Sequence, residues 1–218
     1  MKLAVVAANG KVGSAIVMEA VARGWEVTAI VRGGGSTGGV EGPGARAASS
    51  ILVKDIMSLE AADLAGFDVV VDAFGVFDPD RQGEHTETLM HLADLLAGTD
   101  TRLLVVGGAG SLYVDPDRQT QLVDTPDFPP AHLPVARGMR AAWERLAKRT
   151  DVHWTYVSPA AFLNPDGERT GQYRLGDDQV PVNSAGQSVI SYPDFALALT
   201  DLVAQGLPDR THLSAVSK

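Results

Sequence analysis

Residues 2–24 read KLAVVAANGKVGSAIVMEAVARG. A short apolar run leads into Asn9-Gly10-Lys11-Val12-Gly13, after which Val12, Ile16, Val17, Ala20 and Val21 recur at helical spacing. Gly24 stands where a helix C-terminal cap belongs. Strand, glycine turn and helix in this order are the context in which such a turn binds the phosphates of a dinucleotide. Gly10 lets the backbone approach a pyrophosphate, and Gly13 lets the helix pack close to the strand. The helix N-terminus adds free N–H groups and partial positive charge, and Lys11 can add a formal one. Ala7 replaces the usual first glycine, and alanine serves there if its φ stays negative. The alternative is a plain tight turn in an α/β protein.

The rest of the chain repeats the alternation. Further strand-like runs lie at 26–31, 51–56, 68–73, 103–106 and 153–157, with the first at 3–8. DVVVDAFG (68–75) and RLLVVGGAG (102–110) are continuous rather than alternating, which suits parallel strands covered on both faces. Helices are predicted near 84–97, 135–149 and 194–204. This pattern predicts a Rossmann-type α/β fold, a doubly wound parallel sheet forming a single domain over residues 1–218. Two stretches interrupt it: a glycine-rich segment at 32–44, expected to be a mobile loop, and a proline-rich, aspartate-rich insertion near 111–133, expected to be an ordered excursion or a lid.

Composition narrows the function. The 218 residues are 45% hydrophobic and 21% charged, values of a globular chain, with a formal net charge of −9. That charge disfavours nucleic acid and anionic membrane as partners. With no cysteine, disulfides, thiol nucleophiles and thiolate metal sites are excluded. His85 and His91 are six apart and do not share a helix face, so no metal site is expected. The opening apolar run is too short for a signal-peptide core, and no stretch reaches the ~18 apolar residues of a membrane helix. The expectation is a cytoplasmic protein, monomer or homodimer, acting on a small molecule.

Companions to the glycine turn sit at the other strand ends. After the second strand, AIVRGGG places Arg32 where an acid would favour NAD and an arginine grips the 2′-phosphate of NADP. NADP is therefore the expected cofactor, with NAD as the alternative. Asp55 after the third strand can accept from the adenine amino group while Ile56 packs on the ring. Ala73, Phe74 and Gly75, and then Gly107, Gly108 and Ala109, end the next two strands on the same sheet edge. Small residues there leave room for the cofactor to cross the crevice. Each of these turns can also be read as a mere strand ending.

AANGKVGSAIV (7–17), VVGGAGSL (105–112), WTYVSPAAF (154–162), GERTGQYRLG (167–176) and SVISYPDFALAL (188–199) together resemble the atypical short-chain dehydrogenase/reductase branch of NADH–flavin reductase-like proteins. That branch is related to flavin/biliverdin reductase B and to the NmrA-like sensors. The resemblance runs from residue 1 to about 205. It implies a Rossmann fold binding NAD(P) at Gly10, Lys11, Val12 and Arg32, with the nicotinamide near Phe74, Gly75 and the GGAGS strand end. Ala7 departs from the family's Gly-x-x-Gly-x-x-Gly turn.

The tyrosines are 113, 156, 173 and 192, and none is followed four residues later by lysine. Alcohol–ketone chemistry that needs a lysine-assisted phenol as proton donor is excluded. A flavin or quinone accepts hydride into a conjugated ring and tolerates that absence. Ser111 and Tyr113, just after the fifth strand, are the candidate catalytic residues, the first as a hydrogen-bonding hydroxyl and the second as a ring bounding the acceptor. His132 in the proline-rich segment and Arg169 in NPDGERTG (164–171) are candidate substrate contacts. Arg169 can equally pair with Asp166 or Glu168. The expected function is an NADPH-dependent reductase with flavin as one substrate, and the competing one is a non-catalytic NADP-binding sensor.

Overall fold

The computed structural model describes residues 1–33 and 39–218. Strand β1 (Lys2–Val6), helix α1 (Lys11–Ala22) and strand β2 (Glu26–Val31) make the first crossover unit. Helix α2 (Pro43–Ala47) and β3 (Ser50–Val53) complete one half of the sheet. The second half runs β4 (Val69–Asp72), α3 (Glu84–Leu96), β5 (Arg102–Val106), α4 (Leu133–Leu146) and β6 (His153–Pro159). β7 (Phe162–Asn164), β8 (Tyr173–Gly176), β9 (Val189–Ser191), α5 (Tyr192–Gln205) and β10 (Thr211–Ser217) follow.

Among the described residues the main sheet has eight strands in the order β3-β2-β1-β4-β5-β6-β10-β8, and β7 pairs with β9 separately. All main-sheet pairs are parallel except β10 with β8. The order reverses between β1 and β4, with Val5 opposite both Ala29 and Val71. A crevice opens beyond the carboxyl ends of strands at such a switch point.

Both faces are covered, which explains the continuous apolar runs. Leu3, Val5, Val71, Leu104 and Val157 pack against Ile16 and Val17 of α1 and Phe195 and Leu199 of α5. On the other face Ala4, Val6, Val70, Leu103 and Val105 meet Leu89 and Leu92 of α3 and Ala142 and Leu146 of α4. No helix among the described residues is long and apolar enough to cross a membrane.

Three local expectations need correction. The third strand stops at Val53 because Asp55 turns the chain: its carboxylate accepts from Met57 N at 3.0 Å and caps a 3₁₀ turn at Ile56–Ser58. The expected mobile loop at 32–44 carries ordered structure at its end, a 3₁₀ turn at Gly39–Glu41 and the start of α2 at Pro43, while residues 34–38 lie outside the described residues. The proline-rich insertion is pinned by hydrogen bonds. Asp115 accepts from Gln119 N and Thr120 N at 2.9 and 2.7 Å, and Tyr113 exchanges backbone bonds with Asp178 and Val180. Finally, four strands after β6 escape the apolar pattern, among them β10, which lies inside the sheet.

Candidate functional site

The β1–α1 turn is built on backbone geometry. Ala7 has φ +54°, so the expectation of a negative φ there is wrong. The left-handed bend is what lets the Ala7 carbonyl receive Gly10 N at 2.9 Å as the strand becomes a helix. Gly10 is the N-cap, in extended conformation and without a side chain, and its carbonyl accepts from Ser14 N at 2.8 Å. The amides of Lys11, Val12 and Gly13 thus have no acceptor within the helix.

Asn9 has a structural task. Its Nδ2 donates to Gly39 O at 2.5 Å and its Oδ1 accepts from Ala45 N at 2.9 Å. Together these bonds hold α2 against the turn, and a Cβ on Gly44 would collide with the Ala8 carbonyl. Nothing in the sequence marked Gly44, because the approach joins segments far apart in the chain.

Beyond this turn lies an open cleft of about 420 Å³. It brings together Asn9 and Gly10, Arg32 at the end of β2, Asp55 and Ile56 after β3, and Ala73, Phe74 and Gly75 after β4. Its lining also includes Lys54, Met57, Arg81, Glu84, Glu87 and Thr88, which sequence reasoning missed. Glu84, Glu87 and Thr88 share one face of α3 by their spacing, a signal usable only once α3 is known to start at the crevice. Lys54 pairs with Asp63 at 2.6 Å, and Arg81 forks Glu84 at 2.6 and 2.8 Å. A dinucleotide fits this set. Unpartnered helix amides adjoin a glycine without a side chain, an arginine stands at the second strand end, and an apolar side chain with a carboxylate lies at the third.

The other sequence-predicted residues do not line this cleft. Lys11 lies with its Nζ 5.9 Å from the centre of the Tyr192 ring, and Val12 and Gly13 belong to the helix turn behind Gly10. At the β5 exit, a Cβ on Gly107 would collide with the Tyr156 ring. The Gly108 carbonyl accepts from Ser111 Oγ and Ser158 Oγ, each at 3.0 Å. Ala109 opens the 3₁₀ turn that ends at Ser111, which is buried. Ser158 Oγ in turn lies 2.9 Å from His212 Nε2. Burial pushes His212 down to about 4, keeping it neutral. His132 is exposed at the N-cap of α4. Arg169 forks Glu19 on α1, at 3.1 and 3.2 Å, rather than Asp166 or Glu168.

Two buried groups lie near the carboxyl ends of β4 and β6. Asp72 ends β4 and accepts from Phe74 N at 3.0 Å, while burial raises it to about 6. Tyr156 is fully buried, and desolvation drives its phenol far above the usual range. Among the described residues no group of three His, Asp or Glu side chains is placed to hold a metal ion. His85 and His91 each direct Nε2 at a backbone carbonyl, of Val76 and Leu59.

Known proteins resemble this chain in sequence or in fold. The chain is 44% identical over 202 residues to YwnB of Bacillus subtilis, covering 92% of this chain and 91% of that one. It is 45% identical to the solved structure of SP1627 from Streptococcus pneumoniae, described as a "putative NADH-flavin reductase", with a TM-score of 0.92 and full coverage of both chains. ChuY, an anaerobilin reductase of Escherichia coli, shares the fold alone, at 14% identity and a TM-score of 0.72 over 100% of this chain and 97% of that one. A family model described as NAD(P)H-binding matches residues 7–205. With that match spanning almost the whole chain and the glycine turn, Arg32 and Asp55 gathered on one cleft, the protein belongs to the NAD(P)H-binding family.

Proposed function

We propose that this protein is an NAD(P)H-dependent reductase, preferring NADPH, that passes hydride to a planar acceptor such as a flavin or quinone. The observation that carries the reading is the cleft itself, in which four strand-end segments line one space that includes Arg32 at the end of β2. The likeness to SP1627, with its flavin reductase description, supports the acceptor class.

In this reading the chain's work is binding and orientation. The first-turn amides of α1, with Lys11, Val12 and Gly13, hold the pyrophosphate, Arg32 grips the 2′-phosphate, and Asp55 and Ile56 hold the adenine. Ala73, Phe74 and Gly75 with Gly107, Gly108 and Ala109 border the nicotinamide, which supplies the hydride when bound. Ser111 and Tyr113 stand on the acceptor side, with His132 and Arg169 on the loops around it and the proline-rich insertion as partial cover. The acceptor's conjugation removes the need for a tyrosine–lysine proton donor. The protein acts in the cytoplasm as a monomer or homodimer.

The test is turnover of NADPH with FMN, riboflavin and small quinones, followed as loss of nicotinamide absorbance. Steady oxidation with at least one acceptor is expected. Tight NADPH binding without turnover on any of them would replace the reductase with a redox sensor.

A further inference from the structure

Phe77 is the most exposed of the large hydrophobic side chains among the described residues, at 76%. Single exposed apolar groups are common on protein surfaces, so exposure alone says little. The backbone that carries Phe77 says more. Val76, just before it, is buried, and its carbonyl accepts from His85 Nε2 at 3.1 Å and from Gln82 Nε2 at 3.2 Å. Asp78, just after it, gives its carbonyl to the same Gln82 Nε2 at 2.5 Å, and its carboxylate caps the next turn through Asp80 N at 3.1 Å. The loop is therefore fixed on both sides of Phe77, its one apolar side chain turned to solvent beside the exposed Asp78, Pro79 and Asp80.

Its location is equally specific. Phe74 and Gly75 line the cleft before the loop, and Arg81 and Glu84 line it after. The chain leaves the cleft wall at Gly75 and rejoins it at Arg81, so residues 76–80 form a stretch of its rim. A rigid rim that holds an aromatic ring in solvent is suited to receiving a second flat ring, because stacking covers apolar surface and fixes the partner's plane.

We infer that Phe77 is a stacking platform for the planar acceptor at the mouth of the dinucleotide cleft. This rests on the reductase reading and names the residue that would select flat, conjugated rings for it. An uncharged isoalloxazine is the simplest ligand of this class. Phe162, 57% exposed at the start of β7 beyond the β6 end, is the other aromatic candidate and serves as the comparison.

The experiment titrates riboflavin with the full-length protein saturated with NADP⁺, so that no hydride can move, and follows quenching of flavin fluorescence. Phe77→Ala should weaken riboflavin binding about tenfold, Phe77→Tyr should stay within about twofold, and calorimetric affinity for NADP⁺ should not change. Unchanged riboflavin binding in Phe77→Ala overturns the platform. So does a loss seen with Phe162→Ala instead, a parallel loss of NADP⁺ affinity, or wild type that fails to bind riboflavin. Turnover separates the two readings. Quenching that depends on Phe77 without NADPH oxidation sinks the reductase and leaves the platform, whereas oxidation whose KM for riboflavin ignores Phe77→Ala does the reverse.

Discussion

A methyl group placed on Gly13 would lie 2.5 Å from the carbonyl oxygen of Ala7. The two residues face each other across the turn that creates the dinucleotide site, and they make opposite demands. Gly13 must lack a side chain because its neighbour is backbone, which cannot rotate away. Ala7 carries a side chain at φ +54°, where glycine is at home. Gly13→Ala should destabilise the protein by about 2–4 kcal/mol and weaken cofactor binding through the displaced turn. Ala7→Gly should raise stability by about 0.5–1 kcal/mol, the left-handed strain outweighing the added chain entropy. Thermal melts of the two variants that move in the same direction would refute this account of the turn.

Arg32 lines the cleft at the end of β2, and in the proposed function it grips the 2′-phosphate. Removing one charge-assisted contact costs about 1.5–3 kcal/mol. Arg32→Ala should therefore weaken NADPH by roughly 10- to 150-fold while leaving NADH nearly unchanged, and Arg32→Asp should reverse the preference. Calorimetry decides, and equal wild-type affinities for the two nucleotides would exclude Arg32 as the discriminator.

Asp72 and His212 respond to acid in opposite directions. Burial holds Asp72 at about 6 against an ordinary 3.8, so its stabilising contribution is complete below pH 3.8 and is lost as pH rises through 6. Burial holds His212 at about 4 against 6.5, so its contribution is complete above pH 6.5 and is lost as pH falls towards 4. Each swing is about 3 kcal/mol. Asp72→Asn, which keeps an acceptor for Phe74 N, should be more stable than wild type at pH 7 and lose that advantage on acidification. His212→Gln should gain on wild type over the same range. Urea unfolding between pH 4 and 7.5 measures both, and differences that run parallel would show that these groups do not titrate as buried residues.

Arg169 is held by Glu19 of α1, itself bonded to Arg23, which also reaches Asp201 at 2.6 Å. An anionic acceptor would have to compete with Glu19 for the guanidinium. Arg169→Ala should raise the KM for FMN by about 3- to 10-fold over that for riboflavin if the exchange occurs, with the KM for NADPH constant. Equal effects on both flavins would mean that Arg169 acts by holding the loop alone.

The sheet was legible where its physics is local. Continuous runs such as VVVD mark strands buried on both faces, and Gly10, Arg32 and Asp55, picked out from their strand ends, do line one cleft. What the sequence hid depends on pairs. β10 reads THLSAVS, with His212 and Ser214 on one face, and the bond from Ser158 and the rings of Trp143 and Tyr156, all far away in sequence, make an inward His212 sensible. The bracing role of Asn9 was hidden because its donor partner Ala45 and its acceptor partner Gly39 lie 36 and 30 residues away. Arg169 offered its near neighbours Asp166 and Glu168, and its partner proved to be 150 residues off. The left-handed Ala7 was missed because alanine gives no warning of positive φ.

The place of β10 sets an order on the making of this protein. It lies between β6 and β8, and β8 joins the main sheet through β10. On a ribosome, β8 emerges 35 residues or so before the strand it must pair with, and its backbone waits as an open edge through the synthesis of β9 and α5. The dinucleotide turn and the β1–β6 sheet can be in place by then, so a nascent chain can hold cofactor before its own sheet is closed. A chain interrupted near residue 210 would keep the cleft but lose the tie that fixes β8, and through Asp177 and Asp178 the anchor of Arg118 in the proline-rich insertion.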